Sequence, residues 1–239
     1  MALSLAQCAR DNQRGAHDML QAVIFDLDGT LVDTAPDLTH ATNHVLESEG
    51  MPQVTAAAVR SMVGLGGRML LKRGFASHGV ELDPERLERL YGRFIEYYGA
   101  NICVSSVAFP GAVALLERCA AAGLKVGICT NKPEALSVQL MAALGLSAHF
   151  GAIVGADTAA KPKPDPAPYF ETLRQLGVSG PSLMVGDSET DVLTARAAGV
   201  PVVGVSFGYT PRPVVEFGPD HVIDHFDELW PLLKNQLHI

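Results

Sequence analysis

The stretch Ala22-Val23-Ile24-Phe25-Asp26-Leu27-Asp28-Gly29-Thr30 decides the fold. Four apolar residues end abruptly in two carboxylates and an Asp-Gly turn. An unbroken apolar run of this length predicts a strand buried on both faces, the habit of parallel sheets. The same kind of run returns at Val126–Cys129, Ala152–Val154, Leu183–Val185 and Val202–Val205. Helical stretches separate these runs. Pro110 to Ala122 stops at Gly123, Pro133 to Leu144 at Gly145, Pro166 to Leu176 at Gly177, and Glu189 to Ala198 at Gly199. Proline near a helix start and glycine just past its end mark helix boundaries. Strand and helix in alternation predict an α/β fold with a doubly wound, Rossmann-like parallel-sheet core and right-handed crossovers.

One interval breaks the alternation. Between the first strand and the helix at Pro110, about 80 residues carry no strand signal. Leu38, Ala41, Thr42, Val45 and Leu46 share a helical face that ends before Gly50. Leu87, Leu90, Tyr91, Phe94, Ile95 and Tyr98 form a second stripe, opened by Asp83-Pro84-Glu85 and closed by Gly99. Such stripes are core positions. Together they predict an all-helical insertion over residues 34–105, with the core made of residues 19–33 and 106–239. Residues 1–18 are polar and unpatterned, so they are expected to be a poorly ordered, dispensable leader, with Met19 a candidate start. The proline-dense run 161–168, KPKPDPAP, predicts a stiff loop.

The chain has 239 residues, which suits one large domain, or one domain with an insertion. Eighteen Lys and Arg against 26 Asp and Glu give a formal charge of -8. Nucleic acid and anionic membrane surfaces want clustered positive charge, so neither is expected as a partner. An anionic ligand would need local cations or a metal ion. The four cysteines, Cys8, Cys103, Cys119 and Cys129, form no CxxC or metal spacing, which points to a reduced, cytoplasmic compartment. The two long uncharged runs are broken by polar residues and Pro110-Gly111, and neither reads as a membrane span. His40 and His44 stand at i, i+4 without a third ligand and read as a surface helix, and Trp230 as an anchor of the C-terminal helix.

Ligands of open parallel sheets sit beyond the carboxyl ends of the strands. Polar residues follow four of the predicted strands: Asp26-Leu27-Asp28-Gly29-Thr30, Thr130-Asn131-Lys132, the loop with Lys161 and Lys163, and Gly186-Asp187-Ser188-Glu189-Thr190-Asp191. Each alone could be a turn or a helix cap. Together they suit phosphoryl transfer from a monoester. Of Asp26 and Asp28, one carboxylate can attack phosphorus while its neighbour handles the leaving-group proton. Two close carboxylates repel, which favours a divalent cation, and Asp187 offers a further oxygen ligand of the kind Mg²⁺ prefers. Thr130 and Lys163 can hold the phosphoryl oxygens.

In these motifs, FDLDGT at 25–30, the strand ending in Thr130, KPDP at 163–166 and GDSETD at 186–191, the chain resembles the haloacid dehalogenase superfamily of aspartate-nucleophile phosphatases. The resemblance runs from about residue 20 over nearly the whole chain. It implies Asp26 as nucleophile and Asp28 as general acid and base, with Thr130, Asn131 and Lys163 on the substrate phosphate. It implies Asp26, Asp187 and the backbone carbonyl of Asp28 as Mg²⁺ ligands, and Asp191 and Ser188 as supports behind them. Lys163 is preferred to Lys161 because it leads the fuller motif. Residues 34–105 would be a mobile cap over the site.

Within the superfamily, LVDTAPDLTHATNHVLESEGMP, VGLGGRMLL and TNKPEA look most like bacterial phosphoglycolate phosphatases. The substrate is then a small phosphorylated metabolite, and the chain a monomer or homodimer. Arg68, or Lys72 beside it, is the candidate cap contact for the carboxylate of an acidic substrate. Other phosphomonoesters and a sugar-phosphate mutase are the nearest alternatives. A phospho-receiver switch, with Asp157 as acceptor, is disfavoured by the long insertion and by the Gly-Thr after Asp28.

Overall fold

Alternation along β1 (Ala22–Phe25) sends Val23 and Phe25 into one hydrophobic cluster and Ala22 and Ile24 into another, and all four are fully buried. This is a strand covered on both faces, as its apolar run requires. The computed structural model describes residues 19–237, so the expectations for residues 1–18 lie outside the described residues.

β1 is central in a six-stranded parallel sheet. Lys125–Cys129 (β4) lies on one side of it, with Ala152–Val154 (β5) at the edge beyond. Ser182–Gly186 (β6), Val202–Val205 (β7) and His221–Ile223 (β8) follow on the other side. The chain therefore builds outward from β1 in one direction, returns, and builds outward in the other. Such a reversal opens a crevice at the carboxyl ends of the central strands.

Helices Ala112–Ala121 (α5), Glu134–Ala143 (α6), Ala167–Leu176 (α7) and Glu189–Ala198 (α8) connect the strands, and Leu229–Leu237 (α9) ends the chain. α7 and α8 close on Gly177 and Gly199 in left-handed conformation. Trp230 packs partly buried against the core from α9. Strand β8 was not marked in the sequence. It is a short edge strand with two of three residues exposed, so no apolar run announces it.

The interval expected to hold no strand contains two. Val32–Asp33 (β2) and Val107–Ala108 (β3) pair antiparallel in a two-residue ribbon. Two residues are too few for a periodic signal. Between them lie Ala35–Ser48 (α1), Ala56–Arg60 (α2), Gly67–Ala76 (α3) and Pro84–Ala100 (α4). Asp83 caps α4 by accepting the Arg86 N–H at 2.8 Å. The apolar stripes of α1 and α4 meet, and both belong to the same hydrophobic cluster as Val23 and Phe25.

The two ends of this helical segment are held together by Asp37. Its buried carboxylate accepts the N–H groups of Val104, Ser105 and Ser106 at 2.8–3.0 Å, and the Ser106 hydroxyl at 2.7 Å. Arg60 adds an ion pair to Asp33 on β2 at 2.7 Å. No helix among the described residues is long and apolar enough to cross a membrane.

The Asp37 clamp yields a stability prediction. Asp37→Ala removes a charged acceptor and leaves several donors short of a partner, which should cost about 2–4 kcal/mol. Urea unfolding should show a lower midpoint at unchanged slope. A loss under roughly 0.5 kcal/mol, typical of an ordinary surface change, would show that the clamp contributes nothing.

Candidate active site

Three neighbouring strands deliver the polar groups. Asp26 follows β1 and stays in register, its N–H donating to the Val185 carbonyl at 2.9 Å. Thr130 follows β4 in the same way, on the Val154 carbonyl at 3.0 Å. Asp187 follows β6, and Lys163 enters from the loop after β5. Gly29 turns the chain beyond Asp26 with φ of +90°. A Cβ there would stand 2.5 Å from an Asp187 oxygen, so glycine is required by the turn and by the approach of the carboxylate.

Lys163 is the centre of a buried charge cluster. Its ammonium contacts Asp26 at 2.8 Å and Asp191 at 2.6 Å, and its side chain is 2% exposed. Burial opposes its charge, but Asp191 and Asp26 outweigh that and raise its pKa. Asp26, Asp187 and Asp191 are all buried and bring carboxylate oxygens within 4.8 Å of one another. Burial pushes Asp26 up to about 6, Lys163 pulling it down and Asp191 and Asp28 pushing it further up. Asp187 is raised well above the usual carboxylate range by burial, then by Asp191 and Asp26, against the donors Thr30 and Tyr209. The Thr30 hydroxyl donates to Asp187 at 3.0 Å and the Tyr209 N–H at 2.5 Å. Asp191 also closes a capping box with Ser188, whose hydroxyl and N–H donate to it at 2.7 and 3.1 Å. Three buried carboxylates against one ammonium leave excess negative charge on hard oxygen donors. That donor set fits a divalent cation.

Asp28 faces the other way. It accepts the Thr34 hydroxyl at 2.7 Å and the Lys132 ammonium at 2.9 and 3.2 Å. Lys132 is itself 5% exposed and donates to the Tyr98 hydroxyl, from α4, at 2.8 Å. Burial lowers the Lys132 pKa, but Asp28 and Tyr98 raise it above its ordinary value. Burial pushes the Tyr98 hydroxyl up to about 12 despite Lys132. Neither Lys132 nor Tyr98 was given a role from the sequence. Tyr98 belonged to an apolar stripe, and Lys132 was quoted in the Thr-Asn-Lys strand end without a function. Nothing local announces that a lysine is buried.

The remaining candidates divide. Thr130 is buried, and its hydroxyl accepts the Lys132 N–H at 3.2 Å. Asn131 bridges, donating to the carbonyls of Gly64 and Lys163, both at 3.1 Å, while its Oδ1 is buried without a partner. Arg68 makes no contact with the acid cluster but lines an open cleft that also reaches Asn131 and Lys163. It makes a bidentate pair with Glu88 at 2.7 Å, lies over the Tyr91 ring at 3.8 Å, and is half exposed. Lys161 is exposed and pairs with Asp165 at 3.6 Å. Asp157 is exposed and accepts the Glu134 N–H at 2.8 Å, where it caps α6. His40 and His44 are exposed on α1, His44 stacked on Tyr97.

Between the sheet and the helical segment lies a small pocket. Asp26, Asp28, Thr130, Asn131 and Lys132 form its polar side, and Tyr91, Phe94 and Tyr98 its aromatic side. These rings stack in sequence, with centroids 6.4 and 5.8 Å apart. Gly66 and Gly67, at the start of α3, also line it. A Cβ on Gly67 would meet Tyr91 at 3.0 Å and Phe94 at 3.1 Å.

Known proteins resemble this chain over most of its length. The chain is 48% identical over 216 residues to the phosphoglycolate phosphatase of Mesorhizobium japonicum, covering 90% of this chain and 95% of that one. It is 48% identical over 212 residues to that of Caulobacter vibrioides, covering 88% and 90%. A crystal structure of a predicted phosphoglycolate phosphatase from Haemophilus somnus superposes with a TM-score of 0.83 at 31% identity, over 89% of this chain and 97% of that one. The model of the haloacid dehalogenase-like hydrolases matches residues 23–205, which include all but the first residue of β1, the buried acid cluster, Lys132 and Lys163. The chain belongs to the haloacid dehalogenase-like hydrolase family.

Proposed function

We propose that the protein is a Mg²⁺-dependent phosphomonoester hydrolase that converts 2-phosphoglycolate to glycolate and phosphate through a phosphorylated Asp26. The observation that carries this reading is the division of labour around β1. Both aspartates line the pocket, but Asp26 stands with a buried lysine and two further carboxylates, while Asp28 is held by Lys132 and Thr34. The choice of substrate draws its support from the relatives, which are phosphoglycolate phosphatases.

In this mechanism an Asp26 oxygen attacks phosphorus as the ester P–O bond breaks, and Asp28 gives its proton to the departing alkoxide. Asp28 then takes a proton from water as that water attacks the phosphorylated Asp26, releasing phosphate and restoring the carboxylate. Lys163 and the Thr130 hydroxyl hold the phosphoryl oxygens, and Asp191 keeps Lys163 in place. Asp26, Asp187 and the Asp28 carbonyl would hold Mg²⁺. The ion would lend positive charge to the transferring phosphoryl group. Residues 34–105 would act as a cap that opens and closes on the β2/β3 ribbon. Two contacts support this, Tyr98 on Lys132 and the Gly64 carbonyl on Asn131. Free, buried Cys119 and Cys129 suit a reducing cytoplasm.

The direct test is phosphate release with Mg²⁺ across a panel of 2-phosphoglycolate, sugar phosphates and nucleotides. The highest kcat/KM should belong to 2-phosphoglycolate, and a hexose phosphate in that position would replace it as substrate. The two aspartates should also fail differently. Asp26→Asn should form no phosphoenzyme from any ester. Asp28→Asn should still be phosphorylated by nitrophenyl phosphate, whose leaving group needs no proton, and should then turn over slower by roughly 10²–10⁴-fold. Rapid quench should show a nitrophenol burst in the second variant alone. Steady turnover near wild type in Asp26→Asn would end the covalent mechanism.

Metal binding should be visible in stability. Asp26 has a raised pKa in the folded metal-free protein, so the folded state holds that proton more tightly than the unfolded state does. Its contribution is fully present below the ordinary carboxylate value near 4 and is lost as pH rises through about 6. Mg²⁺ should restore stability where the carboxylates are ionised. The rise in Tm on adding Mg²⁺ should be larger at pH 7.5 than at pH 5, and Asp187→Asn should abolish it. An equal rise at both pH values would place the ion elsewhere.

A further inference from the structure

The phosphoryl chemistry described above leaves one buried cation unused. Lys132 contacts neither Asp26 nor Asp191, and it lines the pocket on the leaving-group side with Asp28. We propose that Lys132, steered by Tyr98, is the specificity residue that binds a carboxylate carried on the alcohol portion of the substrate. The inference rests on the reading of the protein as a phosphomonoesterase for a 2-phospho acid.

Position comes first. Asp28 must reach the ester oxygen to protonate it. In a 2-phospho acid the carboxylate is one methylene from that oxygen. The Lys132 ammonium is 2.9 Å from Asp28, so a substrate whose ester oxygen meets Asp28 brings its carboxylate beside Lys132. The alternatives are placed less well. Lys163 is held between two carboxylates, Asp26 and Asp191, and Arg68 is half exposed and paired in bidentate fashion with Glu88. Lys132 has Asp28 as its one carboxylate partner and lines the pocket. Leu38, Leu70, Phe94 and Ile95 make the pocket wall beyond Asp28 apolar, so a carboxylate there would otherwise lose its water without replacement. The first turn of α3 favours the same charge, since its N-cap is Gly66, which has no side chain to satisfy the helix amides.

Tyr98 explains why the ammonium is aimed. Its hydroxyl takes one Lys132 proton at 2.8 Å, and its ring carries the ammonium at 4.4 Å from the centroid. Tyr98 is on the helical segment and Lys132 on the loop after β4, so the subsite is complete only when the two are together.

The test compares 2-phosphoglycolate with 2-hydroxyethyl phosphate, which has the same carbon count and no carboxylate. The readout is the ratio of their kcat/KM values. Lys132→Met slows both esters, because Asp28 loses a partner, but the ratio should fall by roughly 30–1000-fold. Tyr98→Phe, which keeps the ammonium, should lower it by about 3–10-fold, the worth of one hydrogen bond. Competitive inhibition by glycolate should weaken in parallel. Should Lys132→Met not fold, Lys132→Gln and Tyr98→Phe give the same readout. A ratio unchanged in the variants, with both esters slowed alike, would make Lys132 only a positioning residue for Asp28 and overturn the proposal. A wild-type ratio near one would instead overturn 2-phosphoglycolate as the substrate, and the carboxylate subsite with it.

Discussion

The ion pair of Lys163 with Asp26 and Asp191 is the interaction on which the rest of the site depends. All three side chains are buried, and charges removed from water must be paired or they unfold the region that holds them. Much of the local structure serves this pairing. Asp191 is aimed by the first turn of α8, where Ser188 closes the capping box. The chain can come that close only because Gly186 has no side chain, since a Cβ there would stand 2.4 Å from Asp191. Asp187 is held by Thr30 and the Tyr209 N–H, which ties the end of β6 to the loop after β1.

A second lysine repeats the arrangement with a different purpose. Lys163 sits on the side of Asp26, and Lys132 on the side of Asp28, so the two aspartates have separate cationic partners although they are two residues apart. The separation comes from the end of the strand, since residues two apart on a continuing strand would share a face. β1 stops at Phe25, and the turn through Leu27 and Gly29 sends Asp28 toward Thr34 and the helical segment. Tyr98 reaches Lys132 from that segment, and Asp37 fixes its two ends beside the ribbon. The contact between sheet and helices therefore passes through the Asp28 side of the site and through Asn131 on Gly64. The ion pairs of Asp26 itself are made by residues of the sheet and its loops.

How much of this was legible in the sequence depends on the range of the signal. The five buried strands announced themselves by unbroken apolar runs, and α7 and α8 ended at the expected glycines. Asp26, Thr130, Lys163 and Asp187 were marked because each follows a strand, and strand ends converge by topology. The ribbon of β2 and β3 escaped because two residues carry no period. Helix α3 escaped because it opens on Gly66-Gly67, which reads as a loop until Tyr91 and Phe94 are packed against it. Lys132 and Tyr98 escaped for a deeper reason. A lysine is ordinarily solvated and a tyrosine in an apolar stripe is ordinarily core. Only the meeting of two distant segments makes one a buried cation and the other its partner. Arg68, singled out from the sequence, pairs with the exposed Glu88 at the mouth of a cleft that it shares with Asn131 and Lys163, a neighbourhood that only the fold reveals.

The overall charge sets the terms on which an anion can be recognised here. At -8 the protein repels anionic substrates at long range. At physiological salt that field is damped within about 8 Å, so it affects approach more than binding. Recognition then has to occur at contact, in a pocket where little water stands between the charges. Buried lysines meet that requirement in a way surface arginines do not, because their fields are not screened and their partners are fixed. Each has carboxylate neighbours that keep it charged despite burial. An anion entering the pocket thus meets the Lys132 ammonium already charged and aimed, beside the Asp26 that Lys163 contacts from behind. A chain of net negative charge can in this way hold an anionic ester by contacts that a diffuse basic surface does not offer, because the cations are fixed in place by their carboxylate partners.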